Sequence, residues 1–314
     1  MKAYKVSFEI KSSTITPFQS DTLWGYFAWA CFHIWGEKFG KEFIDANKNG
    51  SPTLVSNAYP EGYLPVPIIE IKRTEKIEKR EIFKQVKKRK FMKIENFEKV
   101  KDELEWNKLF EVLVNEIKDE TKNRKVWEVE TQTVMRNKIS RLTFTTSGFG
   151  ELFGTEETFY GSNVKLWFAV KSDFLSKEQI EAILKYIELS GFGADASIGK
   201  GNLKFTSIEN FKLPESENPN AFMTISNFIP TKDDLDNVDG TNLWYKIFTK
   251  YPKVGGHFAL TDPFKKPLVF MEAGSVFKVK THKDFYGQIL NGVHSNPDIV
   301  QFAYAFPLKV RVGV

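Results

Sequence analysis

Apolar residues recur at every second position in two stretches of the chain, which predicts β-strands, and the first strand is expected to be half-buried because polar residues lie between its apolar ones. Their inward positions are Tyr4, Val6, Phe8 and Ile10 in the first stretch, and Val164, Leu166, Phe168 and Val170 in the second. A helical repeat follows the first strand and begins at Ser20, which can serve as N-cap, with Asp21 favourable to the positive end of the helix. Its core face carries Leu23, Phe27, Ala30 and Ile34. We expect this helix to end at Gly36 or Gly40.

A second helical repeat leads into the most glycine-dense window of the chain. Ser176 and Gln179 have the spacing of a capping box. Apolar residues then return at helical spacing, at Ile180, Ile183, Leu184 and Ile187. Four glycines follow within residues 191–201, and Leu203, Phe205 and Ile208 predict a strand after them. The order is therefore helix, glycine-rich loop, strand.

This order argues against two nucleotide-binding motifs. Gly191-x-Gly193-x-x-Ala196 matches a relaxed dinucleotide fingerprint, but that motif needs a strand before it and a helix after it. Between Gly193 and Gly199-Lys200 there is one residue too many for a P-loop, and a glycine stands where Ser or Thr should bind Mg²⁺.

A third interpretation of the loop is a cradle for a polynucleotide, in which glycines let main-chain N–H groups approach phosphates closely. Its members would be Gly191, Gly193, Ser197, Gly199, Lys200 and Gly201. Ser197 would add a hydroxyl group and Lys200 a cation. Taken alone, the loop is explained equally well as a helix stop followed by a loose turn.

Residues 72–130 differ in composition from the segments around them and predict an insertion. Residues 63–71 before it predict a proline-interrupted edge strand. Residues 72–101 contain thirteen lysines and arginines against five glutamates, with the densest run at 87–90. The run predicts either an RNA-facing arm or a solvated surface. Residues 102–118 predict an amphipathic helix whose inward positions are Leu104, Leu109, Leu113 and Ile117.

Residues 129–144 return to strand-like composition and carry the basic residues Arg136, Lys138 and Arg141. Arg136 and Lys138 point to one side of a strand because their spacing is two residues. A flexible Thr/Ser/Gly tip follows at 143–150. The pattern predicts a basic β-hairpin arm, or else an ordinary charged hairpin.

After a linker at 214–219, a second unit is predicted from Ala221 onward. It contains a strand at 222–228, a short helix at 243–248, paired strands at 268–271 and 276–280 around Gly274, and a final strand at 302–312 interrupted by Pro307. The fold class is therefore α+β. The first domain is expected to cover 1–212 and the smaller second domain 213–314.

Composition narrows the function classes without choosing one. The 314 residues are 41% hydrophobic, with a net charge of +5 and a pI of about 8.9, which is compatible with an RNA partner. A single cysteine, Cys31, excludes an internal disulfide and fits a reducing cytosol. The four histidines are scattered, so we expect no metal site. We also expect neither a signal peptide nor a membrane span.

Three motifs together resemble one protein family. The glycine-rich loop between helix and strand is similar to that of the RAMP superfamily of CRISPR-associated RNA-binding proteins. Ser20-Asp21-Thr22-Leu23 opens the aromatic helix, and residues 273–277 (Ala-Gly-Ser-Val-Phe) precede residues 304–308 (Tyr-Ala-Phe-Pro-Leu). Together they resemble the subunit of type III-A (Csm) interference complexes that caps the 5′ end of the guide RNA. The resemblance does not cover residues 72–130.

The resemblance implies two ferredoxin-like domains and a structural role without catalysis or cofactor. Such a subunit would hold the 5′ repeat-derived tag of the guide RNA in the cytoplasm and nucleate an antiviral complex. Its implied partners are a large polymerase-like subunit and a backbone RAMP subunit. The implied RNA-binding residues are the six members of the cradle, the three basic residues of the arm and Ser20.

An enzyme of the same superfamily is the alternative. His33 follows Tyr26 by seven residues, so both lie on one helical face. A helical histidine beside a tyrosine can act as general base in a metal-independent ribonuclease that processes the guide precursor. A partly buried histidine bound by hydrogen bonds explains the same pattern. A generic RRM-like binder is a weaker alternative, because its aromatic strand signature is missing.

Overall fold

The computed structural model describes residues 2–71, 80–123, 128–146, 152–260 and 262–313. Its helices are α1 (Ser20–Lys48), α2 (Arg80–Lys88), α3 (Ile94–Val100), α4 (Trp106–Asn123), α5 (Lys177–Ser190) and α6 (Lys232–Asp236). Short 3₁₀ turns lie at Ala196–Ile198 and Gly256–Leu260. Within the described residues, no helix is long and apolar enough to cross a membrane.

The strands of the first half are β1 (Lys2–Ile10), β2 (Leu54–Val55), β3 (Tyr59–Pro60), β4 (Tyr63–Pro65), β5 (Phe91–Lys93), β6 (Val129–Asn137), β7 (Leu152–Tyr160), β8 (Lys165–Ser172) and β9 (Leu203–Asn210). Those of the second half are β10 (Ala221–Thr224), β11 (Val238–Trp244), β12 (Ile247–Lys250), β13 (Leu268–Met271), β14 (Val276–Val279), β15 (Tyr286–Leu290), β16 (Gln301–Ala305) and β17 (Pro307–Val310). The fold is thus mixed α and β, with several antiparallel sheets.

The main sheet has the order β2–β8–β1–β9, and each neighbouring pair is antiparallel. Helix α1 lies in the chain between β1 and β2, and α5 lies between β8 and β9. The two helices pack against each other. The predicted alternation of β1 is confirmed, since Val6 and Phe8 are fully buried, and the Phe8 ring lies 5.2 Å from that of Phe18.

Helix α1 differs from its prediction at both ends. Its N-cap is Gln19, which makes no side-chain cap, so Ser20 is the first helical residue. The expected end at Gly36 or Gly40 is wrong. Gly36 adopts φ +87° and kinks the helix, and the chain then resumes helical turns to Lys48. Tertiary packing explains the continuation, because Phe43 after the kink is fully buried against Trp24.

The predicted insertion is packed into the protein over its described part. Strand β5 pairs with β4, and α2 and α3 contact α4. Leu104 precedes α4 and forms a bridge with Val312, near the other end of the chain. The buried residues Met92, Phe97, Val100, Leu104, Leu109 and Leu113 belong to the same hydrophobic core as the main sheet. The helix expected at 102–118 runs instead from Trp106 to Asn123.

A second sheet has the order β11–β14–β10–β17, again antiparallel throughout. The short α6 lies between β10 and β11, and the β15–β16 hairpin lies between β14 and β17. Buried residues of both sheets, among them Val6, Phe168, Met223 and Val310, form one continuous core.

Three predictions for this half are wrong. Residues 243–248 form the end of β11 and the start of β12 instead of a helix. Strand β13 pairs with β12, whereas β14 pairs with β10 and β11, so 268–271 and 276–280 are not partners. The predicted final strand is divided at Phe306 between two sheets, because β16 pairs with β15 and β17 with β10.

Candidate nucleic-acid interface

Helix α5 sets the starting point of the glycine-rich loop. The predicted capping box is present. The Ser176 hydroxyl accepts a hydrogen bond from the Gln179 amide at 3.2 Å, and the Gln179 side chain accepts one from the Ser176 amide at 2.9 Å. The four apolar residues of its predicted core face are buried. The helix ends at Gly191, where φ becomes +74°.

Two glycines of the loop have positive φ angles but different surroundings. Gly201 has φ +62°, and a Cβ added there would overlap the carbonyl oxygen of Phe192. Gly199 has φ +88°, but a Cβ added there would meet open space. Between them and the helix, Asp195 adopts φ +60°, a left-handed conformation that Asp tolerates better than most residues. Gly201 therefore serves the fold, whereas Gly199 borders a free surface.

Most of the loop's inner amide groups are bound within the protein. The Gly193 amide donates to the Tyr26 hydroxyl at 2.6 Å, and the Ala194 amide donates to the Thr16 hydroxyl at 2.9 Å. The Gly201 amide donates to the carbonyl oxygen of Ser13 at 2.9 Å. These groups are not available to phosphates, which limits the predicted cradle. The exposed crest of the loop consists of Ser197, Ile198 and Gly199.

A buried carboxylate, Glu157 on β7, joins the loop to the hairpin β6–β7. The Lys200 ammonium donates to Glu157 Oε2 at 2.6 Å and to Ser13 Oγ at 2.9 Å. The Ser13 hydroxyl also donates to Glu157 Oε2, at 2.6 Å. The Arg136 guanidinium bridges Glu157 and Asp195. The hydrogen bond from Lys200, followed by that from Ser13, lowers the pKa of Glu157 to about 2, although burial opposes the shift.

This cluster changes the roles predicted for two cations. Arg136 and Lys200 were expected to meet phosphates, but each is bound to carboxylate oxygens of the protein. They fix the loop and the hairpin relative to each other. Glu157 and Ser13 are not among the site residues predicted from the sequence. The signal for Glu157 in the sequence was an acidic residue at a strand position, because a carboxylate that is buried must have its charge compensated by cations or hydrogen-bond donors.

The hairpin itself is the predicted arm. Its strands pair from Val129 opposite Tyr160 to Asn137 opposite Leu152, and most of its side chains on both faces are exposed. Its base is attached to the N-terminal loop through two hydrogen bonds between Thr14 and Thr158, at 2.9 and 2.8 Å.

The end of the arm carries basic and apolar side chains together. Lys138 and Arg141 are exposed, as the arm prediction required. Leu142 and Phe144 are 93% and 84% exposed. Residues 147–151, which include the last part of the predicted tip, lie outside the described residues. The arm therefore exposes basic and large apolar side chains together, although a two-stranded hairpin alone buries too little surface to be stable.

His33 and Ser20 lie apart from the cluster. His33 Nδ1 is 2.6 Å from the hydroxyl oxygen of Tyr186 on α5, so the expected pairing with Tyr26 is wrong. The Tyr26 hydroxyl instead accepts a hydrogen bond from the Gly193 amide. Ser20 is fully buried, with its hydroxyl 3.3 Å from the carbonyl oxygen of Asn227. It therefore presents no surface to RNA in this structure. Among the described residues, no group of His, Cys, Asp and Glu could hold a metal ion.

The fold is similar to that of subunits in type III CRISPR complexes. A chain in the crystal structure of a Csm3–Csm4 subcomplex of the type III-A CRISPR–Cas interference complex matches with a TM-score of 0.62 at 19% identity, over 99% of this chain and 100% of that chain. A chain of a Csm1–Csm4 cassette in complex with AMPPNP matches with a TM-score of 0.59 at 17% identity, over the whole of both chains.

Csm4 is the subunit that both assemblies contain. At the level of the fold, the comparisons agree with the resemblance that the sequence motifs carry. No family model matches the sequence, and no curated protein matches it.

Proposed function

We propose that this chain is the structural RNA-binding subunit that caps the 5′ repeat-derived tag of the guide RNA in a type III-A (Csm) effector complex. The observation that carries the proposal is the meeting of the two predicted RNA-binding elements, loop and arm, at Glu157. We define the arm–loop site as exposed residues of the two joined elements: Lys138, Arg141 and Phe144 at the end of the arm, and Ser197 and Gly199 at the crest of the loop. The fold similarity to Csm-type subunits supports the same conclusion.

The site suits single-stranded RNA. Lys138 and Arg141 offer cations, and the exposed ring of Phe144 offers a flat surface on which a base can stack. The crest of the loop offers a hydroxyl group at Ser197 and open space beside Gly199, whose amide already donates to the carbonyl oxygen of Ala196 at 3.0 Å. Arg136 and Lys200 hold the arm and the glycine-rich loop together through Glu157.

The fold also supports the wider role that we propose. Both sheets connect their strands in the order of a ferredoxin-like unit, so we infer two such domains, the second with a hairpin in place of its second helix. As a subunit of this type, the chain would nucleate assembly in the cytoplasm. Its protein partners would be a large polymerase-like subunit and a backbone RAMP subunit, as in the Csm1–Csm4 and Csm3–Csm4 assemblies.

The test is binding of a guide RNA with and without its tag to the double variant Lys138→Gln/Arg141→Gln. We expect affinity for tagged RNA to fall about tenfold or more, because neither side chain can then make a charge-assisted hydrogen bond to a phosphate. The matched control Lys204→Gln/Lys232→Gln removes two other exposed cations and should bind as the wild type does. Equal binding of both variants would remove the arm from the site.

A metal-independent endoribonuclease is the second candidate, favoured by the contact between His33 and Tyr186. Incubation of the protein with labelled repeat RNA in EDTA separates the two functions. Specific cleavage that is lost in His33→Ala would favour the enzyme, and intact RNA favours the structural subunit.

A further inference from the structure

Helix α2 has one face fixed to the protein. Its apolar side packs on α4, with Val86 buried and the Phe83 ring centroid 6.1 Å from those of Trp106 and Phe110. The outward side is set by this packing. The helix and the two residues after it carry four exposed lysines, which we call the α2 lysine face: Lys84, Lys87, Lys88 and Lys90.

The basic run at 87–90 is divided by the fold. Arg89 turns inward and binds Glu116 and Glu120 on α4, with Nη1 and Nη2 at 2.9 and 2.7 Å from the Glu120 oxygens. Glu116 is fully buried at its side chain and also accepts a hydrogen bond from Asn96 at 2.6 Å. Arg89 is therefore structural, and its three neighbours in the run remain on the surface.

The α2 lysine face lacks acidic partners across the parts of the chain that the structure describes. Lys84, Lys88 and Lys90 form no ion pair there, and Lys87 lies 4.8 Å from the centroid of the Phe83 ring. Some lysines of other helices form an ion pair one turn away, namely Lys41 with Glu37, Lys177 with Glu181, and Lys185 with Glu188, whereas no ion pair joins Lys84 to Glu81 in the described residues. Single lysines such as Lys38 and Lys48 on α1 are also exposed there without an ion pair, so α2 is distinguished by three such lysines that lie three and four residues apart.

An unpaired lysine face is unfavourable for the isolated helix. Lys84 and Lys88 are four residues apart, and like charges at this spacing destabilise a helix. The helix dipole favours cations only in the last turn, so it accounts for Lys87 and Lys88 but leaves Lys84 unexplained. An anionic ligand bound along the face would reduce the repulsion between these lysines.

We propose that the α2 lysine face is a second RNA contact, separate from the arm–loop site, which binds the sugar–phosphate backbone of single-stranded RNA without sequence preference. It rests on the proposed function only in that RNA is the ligand. An acidic protein fits the face less well, because protein interfaces have an apolar centre. The exposed side of α2, as described, contains lysines, Gln85 and, in the first turn, Glu81, but no exposed large apolar side chain.

The test replaces all four residues of the α2 lysine face with Gln, which keeps helix propensity, and leaves Arg89 in place. Binding of a labelled oligouridylate that lacks the repeat tag is measured against salt concentration. For single strands, the slope of log K against log salt falls by about 0.7 for each phosphate that the protein no longer neutralises, so we expect it to decrease by up to about three. The control quartet Lys38, Lys48, Lys204 and Lys232→Gln has the same net charge.

The outcomes are distinct from those for the arm–loop site. A lower slope in the α2 variant alone supports the inference, whether or not tagged RNA binds at the arm. An equal change in both quartets would mean a diffuse effect of net charge and would overturn it. An unchanged slope would overturn it as well, even if Lys138→Gln/Arg141→Gln had already lost binding of tagged RNA.

Discussion

The arm–loop site and the α2 lysine face are both basic, but they neutralise their charges differently. At the arm–loop site, Arg136 and Lys200 both turn toward Glu157. Beside the α2 lysine face, Arg89 turns inward, toward Glu116 and Glu120. In each region, the cations that bind a buried carboxylate stabilise the fold. The cations left without an acid are the ones that a polyanion can reach.

The two surfaces also differ in rigidity. The α2 lysine face lies on a helix that is packed against α4 along its opposite side. The arm is a two-stranded hairpin, held at its base by Thr14 and by the Glu157 cluster. We therefore expect the arm–loop site to depend on Glu157 for its shape, whereas the α2 lysine face should tolerate loss of any single lysine.

The largest effect on stability is expected from Arg89→Gln. It leaves the Glu116 carboxylate buried with its charge uncompensated, which costs about 3–5 kcal/mol. Urea unfolding followed by circular dichroism measures the change. The neighbouring Lys88→Gln is the control, and we expect it to stay within about 0.5 kcal/mol of the wild type because Lys88 is exposed. Similar losses in the two variants would contradict the division of the basic run.

A smaller loss is expected from Glu157→Gln. The variant removes charge-assisted hydrogen bonds from Lys200 and Arg136, and because both cations remain partly exposed to water, the loss should be about 2–3 kcal/mol. Tagged RNA should also bind more weakly, since loop and arm are no longer held together. Urea unfolding and RNA binding measure the two effects.

The pH dependence of the stability difference between the wild type and Glu157→Gln is a further check. The folded-state pKa of Glu157 is about 2, below its ordinary value of 4.5, so its contribution is present above about pH 4.5. It is lost as pH falls toward 2, because the unfolded chain then binds a proton that the folded one does not. The stability gap between the wild type and Glu157→Gln should therefore narrow from pH 5 to pH 3. A gap that stayed constant would exclude the charge of Glu157 as its cause.

Local patterns predicted the first half of the fold well. The strands β1 and β8, the capping box of α5 and the glycine-rich loop depend on residues close in sequence, so a single window contains the whole signal. The burial of β8 on both faces, which includes Trp167 and Ala169, was not part of that signal. Exposed Lys138 and Arg141 on a hairpin arm were predicted for the same reason.

The remaining features depend on partners distant in sequence. Residues 243–248 contain apolar positions that suit a short helix, but β11 and β12 form there because β14 and β13 supply the pairing edges. The inward turn of Arg136 required Glu157, 21 residues away and on the facing strand. Whether a cation serves the fold or a ligand is set by such pairs, and no local window contains them.

The smallest change in stability among these variants of the arm–loop site and of Arg89 is expected from Gly199→Val, which tests whether RNA passes along the crest of the loop. A Cβ at φ +88° adds strain of about 1–2 kcal/mol, but it meets open space, so the variant should fold and melt a few degrees lower. Its side chain would occupy the surface beside Ser197, where we propose that the RNA backbone passes. Binding of tagged RNA should therefore fall sharply, while binding to the α2 lysine face persists. Thermal melting and pull-down with tagged RNA are measured together.

Gly201→Val is the contrast, because its Cβ would overlap Phe192 and disrupt the loop itself. Normal pull-down by a folded Gly199→Val protein would mean that RNA does not approach the loop crest, and the arm alone would then have to account for binding.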